Sequence, residues 1–151
     1  MQDINEFLAY SIRLEEEAAA RFSDLATIMD SYGNREVAAL FKRLGEFSAQ
    51  HAQTARDRAG FHDLPKLAPD QYRWPGAESP EATSMEGSHY LMTPDYAMTL
   101  ALESERAGHA YYQSIADTSD DPEIRIMAAE FAQEEAGHVA ELERWMLKLA
   151  S

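Results

Sequence analysis

Apolar residues recur every three or four positions in four stretches of the chain, which is the period of an amphipathic α-helix. The predicted helices cover approximately residues 3–33, 34–60, 93–116 and 121–149. Each begins with a residue type that caps helices: Asp3, Asn34, Thr93 and Asp121. Proline follows the last two caps, at the first helical position, where it is well tolerated. The pattern therefore predicts an all-α protein with four helices.

The segment between the second and third helices, residues 61–93, has a different character. It contains Pro65, Pro69, Pro75 and Pro80 and shows no sustained periodicity. A connection this long is uncommon inside a compact domain. A four-helix bundle requires one when its second and third helices run parallel, because the chain must then cross the whole bundle. We expect such a crossover, with a disordered linker between two hairpins as the alternative.

Composition narrows the class of protein. With 151 residues the chain is long enough for one domain with one core, and we expect a single domain over residues 1–151. A net charge of −14 argues against nucleic-acid or anionic-membrane partners. No stretch resembles a signal peptide or a membrane span, so we expect a cytoplasmic protein. Because cysteine is absent, any metal must be held by Asp, Glu or His.

The fourth stretch carries the clearest chemical signal. Glu135 and His138 are three residues apart and therefore lie on one face of the predicted helix, among the apolar residues of its stripe. A buried carboxylate and imidazole are costly unless something compensates them, and a metal ion is one such compensator. Two inward Glu-x-x-His motifs plus one Glu from each remaining helix form the ligand set of four-helix di-iron proteins.

An internal repeat indicates partners for this pair. An offset of 90 residues aligns Glu15 with Glu105 within similar sequences, and an offset of 87 aligns His51 with His138. Two helix pairs with nearly equal spacing predict a pseudo-twofold bundle that gathers these five side chains around one centre. Taken singly, Glu15 also fits a boundary position and His51 a core histidine.

These residues and motifs resemble the ferritin-like superfamily, in particular rubrerythrin-like proteins. The resemblance rests on Ala101–Glu105, Tyr111-Tyr112, Asp121–Glu123 and Phe131–His138, supported by Glu15–Phe22 and Phe41–His51. It implies a ferritin-like four-helix bundle whose cofactor is a pair of iron ions, with manganese or a single metal as alternatives. It also implies reaction with peroxide or dioxygen, a homodimer and an electron donor that the sequence does not identify.

The resemblance assigns a role to each candidate residue. Glu15 and Glu105 would be terminal carboxylates, Glu135 would bridge the two metals, and His51 and His138 would each bind one metal. Tyr112, seven residues after Glu105, would hydrogen-bond a ligand or donate an electron, unless it only packs in the core.

Two features depart from the family. Rubrerythrin has a rubredoxin domain with four cysteines that supplies electrons, and this chain has no cysteine. The second bridging glutamate is replaced by Ser48, which leaves three carboxylates to balance two divalent ions unless hydroxide, His109 or another carboxylate contributes. Three functions therefore stay open: a di-iron oxidoreductase, iron binding or storage without turnover, and a metal-free scaffold in which inward Glu and His pair with one another.

Overall fold

Four long α-helices form the structure, a computed structural model that describes residues 3–60 and 93–150. They are α1 (Ile4–Ser31), α2 (Arg35–Arg58), α3 (Pro94–Thr118) and α4 (Pro122–Ala150). These bounds agree with the predicted helices to within about two residues at each end. The fold is the predicted ferritin-like four-helix bundle. None of the described helices is long and apolar enough to cross a membrane.

The predicted caps fix where the helices begin. The Asn34 side chain accepts a hydrogen bond from Val37 N at 3.1 Å, and Thr93 Oγ1 accepts one from Tyr96 N at 3.1 Å. Asp3 caps α1 through its carboxylate, which accepts a hydrogen bond from Asn5 N at 2.9 Å. Between α1 and α2, Gly33 adopts a φ of 82°, a backbone conformation that favours glycine, and it ends the first helix as expected.

Two apolar clusters occupy opposite ends of the bundle. The first contains the start of α1, the end of α2, the end of α3 and the start of α4. The second contains the end of α1, the start of α2, the start of α3 and the end of α4. Both α2 and α3 therefore run from the second cluster to the first, and the two helices are parallel. This is the topology for which a full-length crossover was predicted, although residues 61–92 of that segment lie outside the described residues.

Aromatic rings dominate the first cluster next to the bundle centre. The ring of Phe131 lies 5.2 Å from that of Tyr112 and 6.3 Å from that of Phe7, in edge-to-face and stacked arrangements respectively. Such pairs add about 0.5–1.5 kcal/mol each beyond the area they bury. Because Phe131 also stacks on His51 at 5.9 Å, the same core that stabilises the bundle fixes one of the candidate metal ligands.

Phe47 is an exception to the predicted core pattern. The periodicity of α2 places it on the apolar stripe, yet the residue is 39% exposed. Its ring lies 5.3 Å from His138, at the mouth of a surface cavity. The helical period identifies the correct side of α2 but does not show that the neighbouring helix leaves an opening there.

Candidate metal centre

A layer of polar side chains separates the two apolar clusters. All four helices contribute to it: Glu15 from α1, His51 from α2, Glu105 from α3, and Glu135 and His138 from α4. The three glutamates are at most 1% exposed and the two histidines are each 8% exposed. The structure therefore brings together all five residues that the sequence indicated as candidate ligands.

The five side chains form two overlapping groups of three. Ligand atoms of Glu15, His51 and Glu135 lie within 4.8 Å of one another, and so do those of Glu105, Glu135 and His138. Glu135 belongs to both groups, which is the position that a carboxylate shared between two metal ions requires. Its place follows from the Glu-x-x-His spacing, because Glu135 and His138 project from the same face of α4.

Specific contacts orient the side chains. His138 Nδ1 lies 3.2 Å from Glu105 Oε2 and 3.8 Å from Glu135 Oε2, so this ring nitrogen faces the centre. His51 Nδ1 lies 3.5 Å from Glu15 Oε1 and also faces inward. The Tyr112 hydroxyl donates a hydrogen bond to Glu15 Oε1 at 3.0 Å. Tyr112 thus lies beside a candidate ligand rather than among the ligands.

Several polar atoms at the centre are buried and make no hydrogen bond to any described residue. They are Glu15 Oε2, Glu105 Oε1, both carboxylate oxygens of Glu135, and His51 Nδ1. Native proteins rarely leave buried polar atoms without partners, because each one costs about 1–3 kcal/mol and more when it is charged. Five such atoms in one buried layer form an arrangement that a bound cation would satisfy.

Electrostatics agree with this interpretation. Burial raises the pKa of Glu105 to about 7; the charge of Glu15 adds to the shift and a contact with Glu135 opposes it. Burial also raises the pKa of Glu135 well above its usual value, with the charges of Glu105 and Glu15 adding to the effect. The pKa of His51 is raised: burial lowers it, but the close contact with Glu15 and its charge, with the charges of Glu134 and Glu135, outweigh burial. Without a cation, burial therefore favours the protonated, neutral form of these carboxyl groups.

The donor set suits a pair of divalent transition-metal ions. Carboxylate oxygens and imidazole nitrogens are ligands for iron and manganese. Ligands bound at about 2.0–2.2 Å to a common ion lie at most about 4.4 Å apart, so only a small contraction of each group is needed. Glu15, Glu105, Glu135, His51 and His138 would hold the metals, in the arrangement that the resemblance implied.

Other polar residues near the ligands do not join the two groups. Ser48 is buried one turn before His51, where the family pattern has a glutamate, and its single hydroxyl carries no charge. His109 is half-buried and is a member of neither group. Neither residue replaces the missing carboxylate.

Glu134 is a residue that sequence reasoning missed. Its carboxylate Oε2 forms an ion pair with His51 Nε2, on the side of the ring that faces away from the centre. In an acidic chain, a glutamate directly before Glu135 is expected to face solvent, and the Glu134 side chain is indeed 50% exposed. No signal in the sequence distinguishes it, because its partner lies on another helix.

A surface cavity of about 380 Å³ lies against the two histidines. Residues from α2 and α4 line it, among them His51, His138, Glu134, Glu130 and Phe47. A water molecule takes up about 30 Å³ in the liquid, so the cavity has room for several small molecules. It provides a route from solvent to the imidazole side of the centre.

Comparison with known proteins agrees with the geometry. A crystal structure of an uncharacterized conserved protein from Magnetospirillum magnetotacticum MS-1 is 40% identical, with a TM-score of 0.83 over 97% of this chain and 95% of that one. No curated protein matches the chain. The sequence model of the rubrerythrin family matches residues 6–91, more than half of the chain. The chain therefore belongs to the rubrerythrin family.

Proposed function

We propose that this protein is a di-iron oxidoreductase that reduces peroxide or activates dioxygen. The observation that carries the proposal is the set of five buried, unpartnered ligand atoms that converge at the bundle centre. Membership of the rubrerythrin family supports iron as the metal. When bound, two ferrous ions supply the two electrons that the reduction of a peroxide requires.

The protein side chains have distinct tasks in this proposal. Glu135 would hold both ions, and Glu15 and Glu105 would each bind one ion. His51 and His138 complete the two groups from the side of the cavity. Because the carboxylates lie among apolar side chains, where the effective dielectric constant is low, their negative charge would interact strongly with the positive charge of the ions in either oxidation state.

Tyr112 supports Glu15 and keeps its own proton. Burial raises the pKa of Tyr112 well above its usual value, and the charges of Glu15 and Glu135 add to the effect. The phenol therefore donates a hydrogen bond to Glu15 at any physiological pH, and in this proposal it is also the nearest donor of a proton and an electron.

The cavity limits the size of the substrate. It reaches the two imidazoles between α2 and α4, while the aromatic core around Phe131 closes the centre on the side of the first cluster. This access suits a small, neutral oxidant such as hydrogen peroxide or dioxygen.

The first experiment measures the metal content of protein loaded anaerobically with ferrous iron, then the absorption spectrum on adding peroxide. We expect about two irons per chain, from the two groups of ligands, and a new near-ultraviolet band. Two irons without a spectral change would instead favour iron binding without turnover. Protein that retains no iron would favour the metal-free scaffold, in which contacts such as that between His138 and Glu105 are the final arrangement.

A pair of variants tests the assignment of the ligands. Glu135→Ala should abolish binding of both ions because Glu135 belongs to both groups. Glu17→Ala is the control, because Glu17 lies on α1 two residues from Glu15 but pairs with Arg13 at 2.6 Å. Equal iron retention in the two variants would contradict the proposed centre.

Three further expectations extend the proposal. The homodimer, the separate electron donor and the cytoplasmic location stay predictions, each drawn from the family resemblance or from composition. Because these 151 residues include no cysteine for a rubredoxin-type iron site, we propose that the electrons for turnover come from outside the bundle.

A further inference from the structure

Different side chains contact the two imidazoles of the centre. Nε2 of His51 forms an ion pair with the carboxylate of Glu134. The ring of His138 instead packs against the phenyl ring of Phe47, at a centroid distance of 5.3 Å. The internal repeat that aligns His51 with His138 also aligns Phe47 with Glu134. Equivalent positions of the pseudo-symmetric bundle therefore hold a charged group on one side and an apolar group on the other.

The contact with Glu134 favours one of the two neutral forms of the His51 ring. A neutral imidazole has one N–H group and one free lone pair. If Nε2–H donates to Glu134, the lone pair resides on Nδ1. That nitrogen is buried, has no hydrogen-bond partner among the described residues, and lies 3.5 Å from Glu15 Oε1.

The charge balance of the centre also indicates a role for Glu134. Glu15, Glu105 and Glu135 carry three negative charges, whereas two divalent ions carry four positive ones. The family pattern has a fourth carboxylate where this chain has Ser48, which is buried and neutral. Glu134 pairs with the ring of His51, which lies three residues after Ser48 on α2, so it adds a negative charge next to a candidate ligand.

We propose that Glu134 is a positioning residue for His51: it accepts a hydrogen bond from Nε2–H, directs the Nδ1 lone pair at the metal, and supplies a negative charge beside a centre that has Ser48 in place of one carboxylate. The inference rests on the proposed function, because it assumes that His51 binds a metal ion. Carboxylates behind metal-bound histidines fix the ring and make it a stronger ligand, and losing one costs about 10–100-fold in metal affinity. The loss here falls on the ion held by His51 and spares the one held by His138.

Glu130 provides a matched control. It lies one turn before Glu134 on α4, lines the same cavity and has a similar exposed fraction, 49% against 50%. Its carboxylate pairs with Arg58 at 3.0 Å instead of with a candidate ligand. Replacing either residue removes one negative charge from the same surface, but only Glu134→Gln removes a contact with a histidine of the centre.

The test is an anaerobic titration with cobalt(II), followed by absorption and calorimetry, of the wild type, Glu134→Gln, Glu134→Asp and Glu130→Gln. In Glu134→Gln we expect one of two binding steps to weaken about 10–100-fold while the other is nearly unchanged. Glu134→Asp should recover part of the loss, and Glu130→Gln should behave as the wild type. Circular dichroism checks that each variant is folded, which the surface position of both glutamates favours.

A second readout reports the nitrogen directly. In protein loaded with zinc(II), two-bond ¹H–¹⁵N correlation spectra should show His51 with metal on Nδ1 and a proton on Nε2. Metal on Nε2 of His51 would overturn the proposal, and so would unchanged binding steps in Glu134→Gln or an equal loss in Glu130→Gln. Equal weakening of both steps would also overturn it, because that is a general effect of charge.

The outcomes separate this inference from the proposed function. If the wild type binds two ions and Glu134→Gln binds them with the same affinities, the role of Glu134 is refuted and the proposed metal centre is not. A wild type that binds no cobalt or iron would remove both.

Discussion

The metal-free protein should lose stability as the pH rises, and Glu105→Gln should remove the part of that loss that comes from Glu105. Glu105 is fully buried, and its pKa is raised from 4.5 to about 7, chiefly because burial disfavours the charged carboxylate. Glutamine has nearly the same shape but cannot ionise. The substitution therefore isolates what the charge costs the folded state.

The direction of the change in stability with pH follows from whether the folded or the unfolded chain binds the Glu105 proton more tightly. Between pH 4.5, the ordinary pKa of a glutamate in the unfolded chain, and about pH 7, the folded protein holds the Glu105 proton more tightly than the unfolded chain does. The free energy of unfolding therefore falls across this window as the pH rises, and the loss is complete above the folded pKa. One pKa unit corresponds to about 1.4 kcal/mol, so the loss from Glu105 is about 3 kcal/mol by pH 8.

Urea unfolding followed by circular dichroism, with a chelator present, measures this effect at pH 4 and pH 8. We expect Glu105→Gln to be nearly neutral at pH 4 and to stabilise the protein by about 3 kcal/mol at pH 8, or about 6–12 °C in melting temperature. Glu103→Gln is the control, because Glu103 lies on the same helix two residues earlier and is exposed. It should show no comparable change with pH.

Bound metal should reverse the order of stability of the wild type and Glu105→Gln at pH 8. A ligand that binds only the folded state stabilises it by about 4.1 kcal/mol at one thousand times its dissociation constant, which exceeds the loss of about 3 kcal/mol from the ionised Glu105. The wild type, which keeps the carboxylate, should then become more stable than Glu105→Gln at pH 8. A metal-free Glu105→Gln variant that is less stable than the wild type at pH 8 would refute the reasoning, because it would mean that the ionised carboxylate is well solvated or paired.

Three other substitutions test separate parts of the structure. Ser48→Glu should strengthen metal binding, measured by titration with cobalt(II), and should lower the stability of the metal-free protein at pH 8, because it adds another buried carboxylate. Unchanged metal affinity together with unchanged stability would contradict the interpretation of Ser48. Tyr112→Phe should cost about 1 kcal/mol in urea unfolding through the lost hydrogen bond to Glu15 and should slow the spectral change with peroxide, whereas an unchanged rate would leave Tyr112 a packing residue. Phe131→Ala should lose about 3–5 kcal/mol of stability in the same assay, because its ring is buried against Phe7, Tyr112 and His51. A smaller loss would mean that neighbouring side chains move to fill the cavity left by the ring.

The local features of the fold could be predicted from the sequence because they depend on short-range geometry. Cap residues and the apolar period located all four helices, since hydrogen bonding and side-chain direction within a helix depend on residues at most four positions apart. The same period placed Glu135 and His138 on one face of α4, and the internal repeat related them to Glu15, His51 and Glu105. Parallel α2 and α3 followed from the length of the connection between them.

Only the tertiary structure decided how the helices meet around the centre. The contact between His51 and Glu134, the inward direction of Nδ1 and the opening beside Phe47 all depend on the separation and rotation of α2 relative to α4. Periodicity assigns a residue to a face of its own helix but carries no information about which side chain lies opposite. For this reason Glu134 looks like any surface glutamate in the sequence, whereas the packed bundle places it against an imidazole of the candidate metal centre.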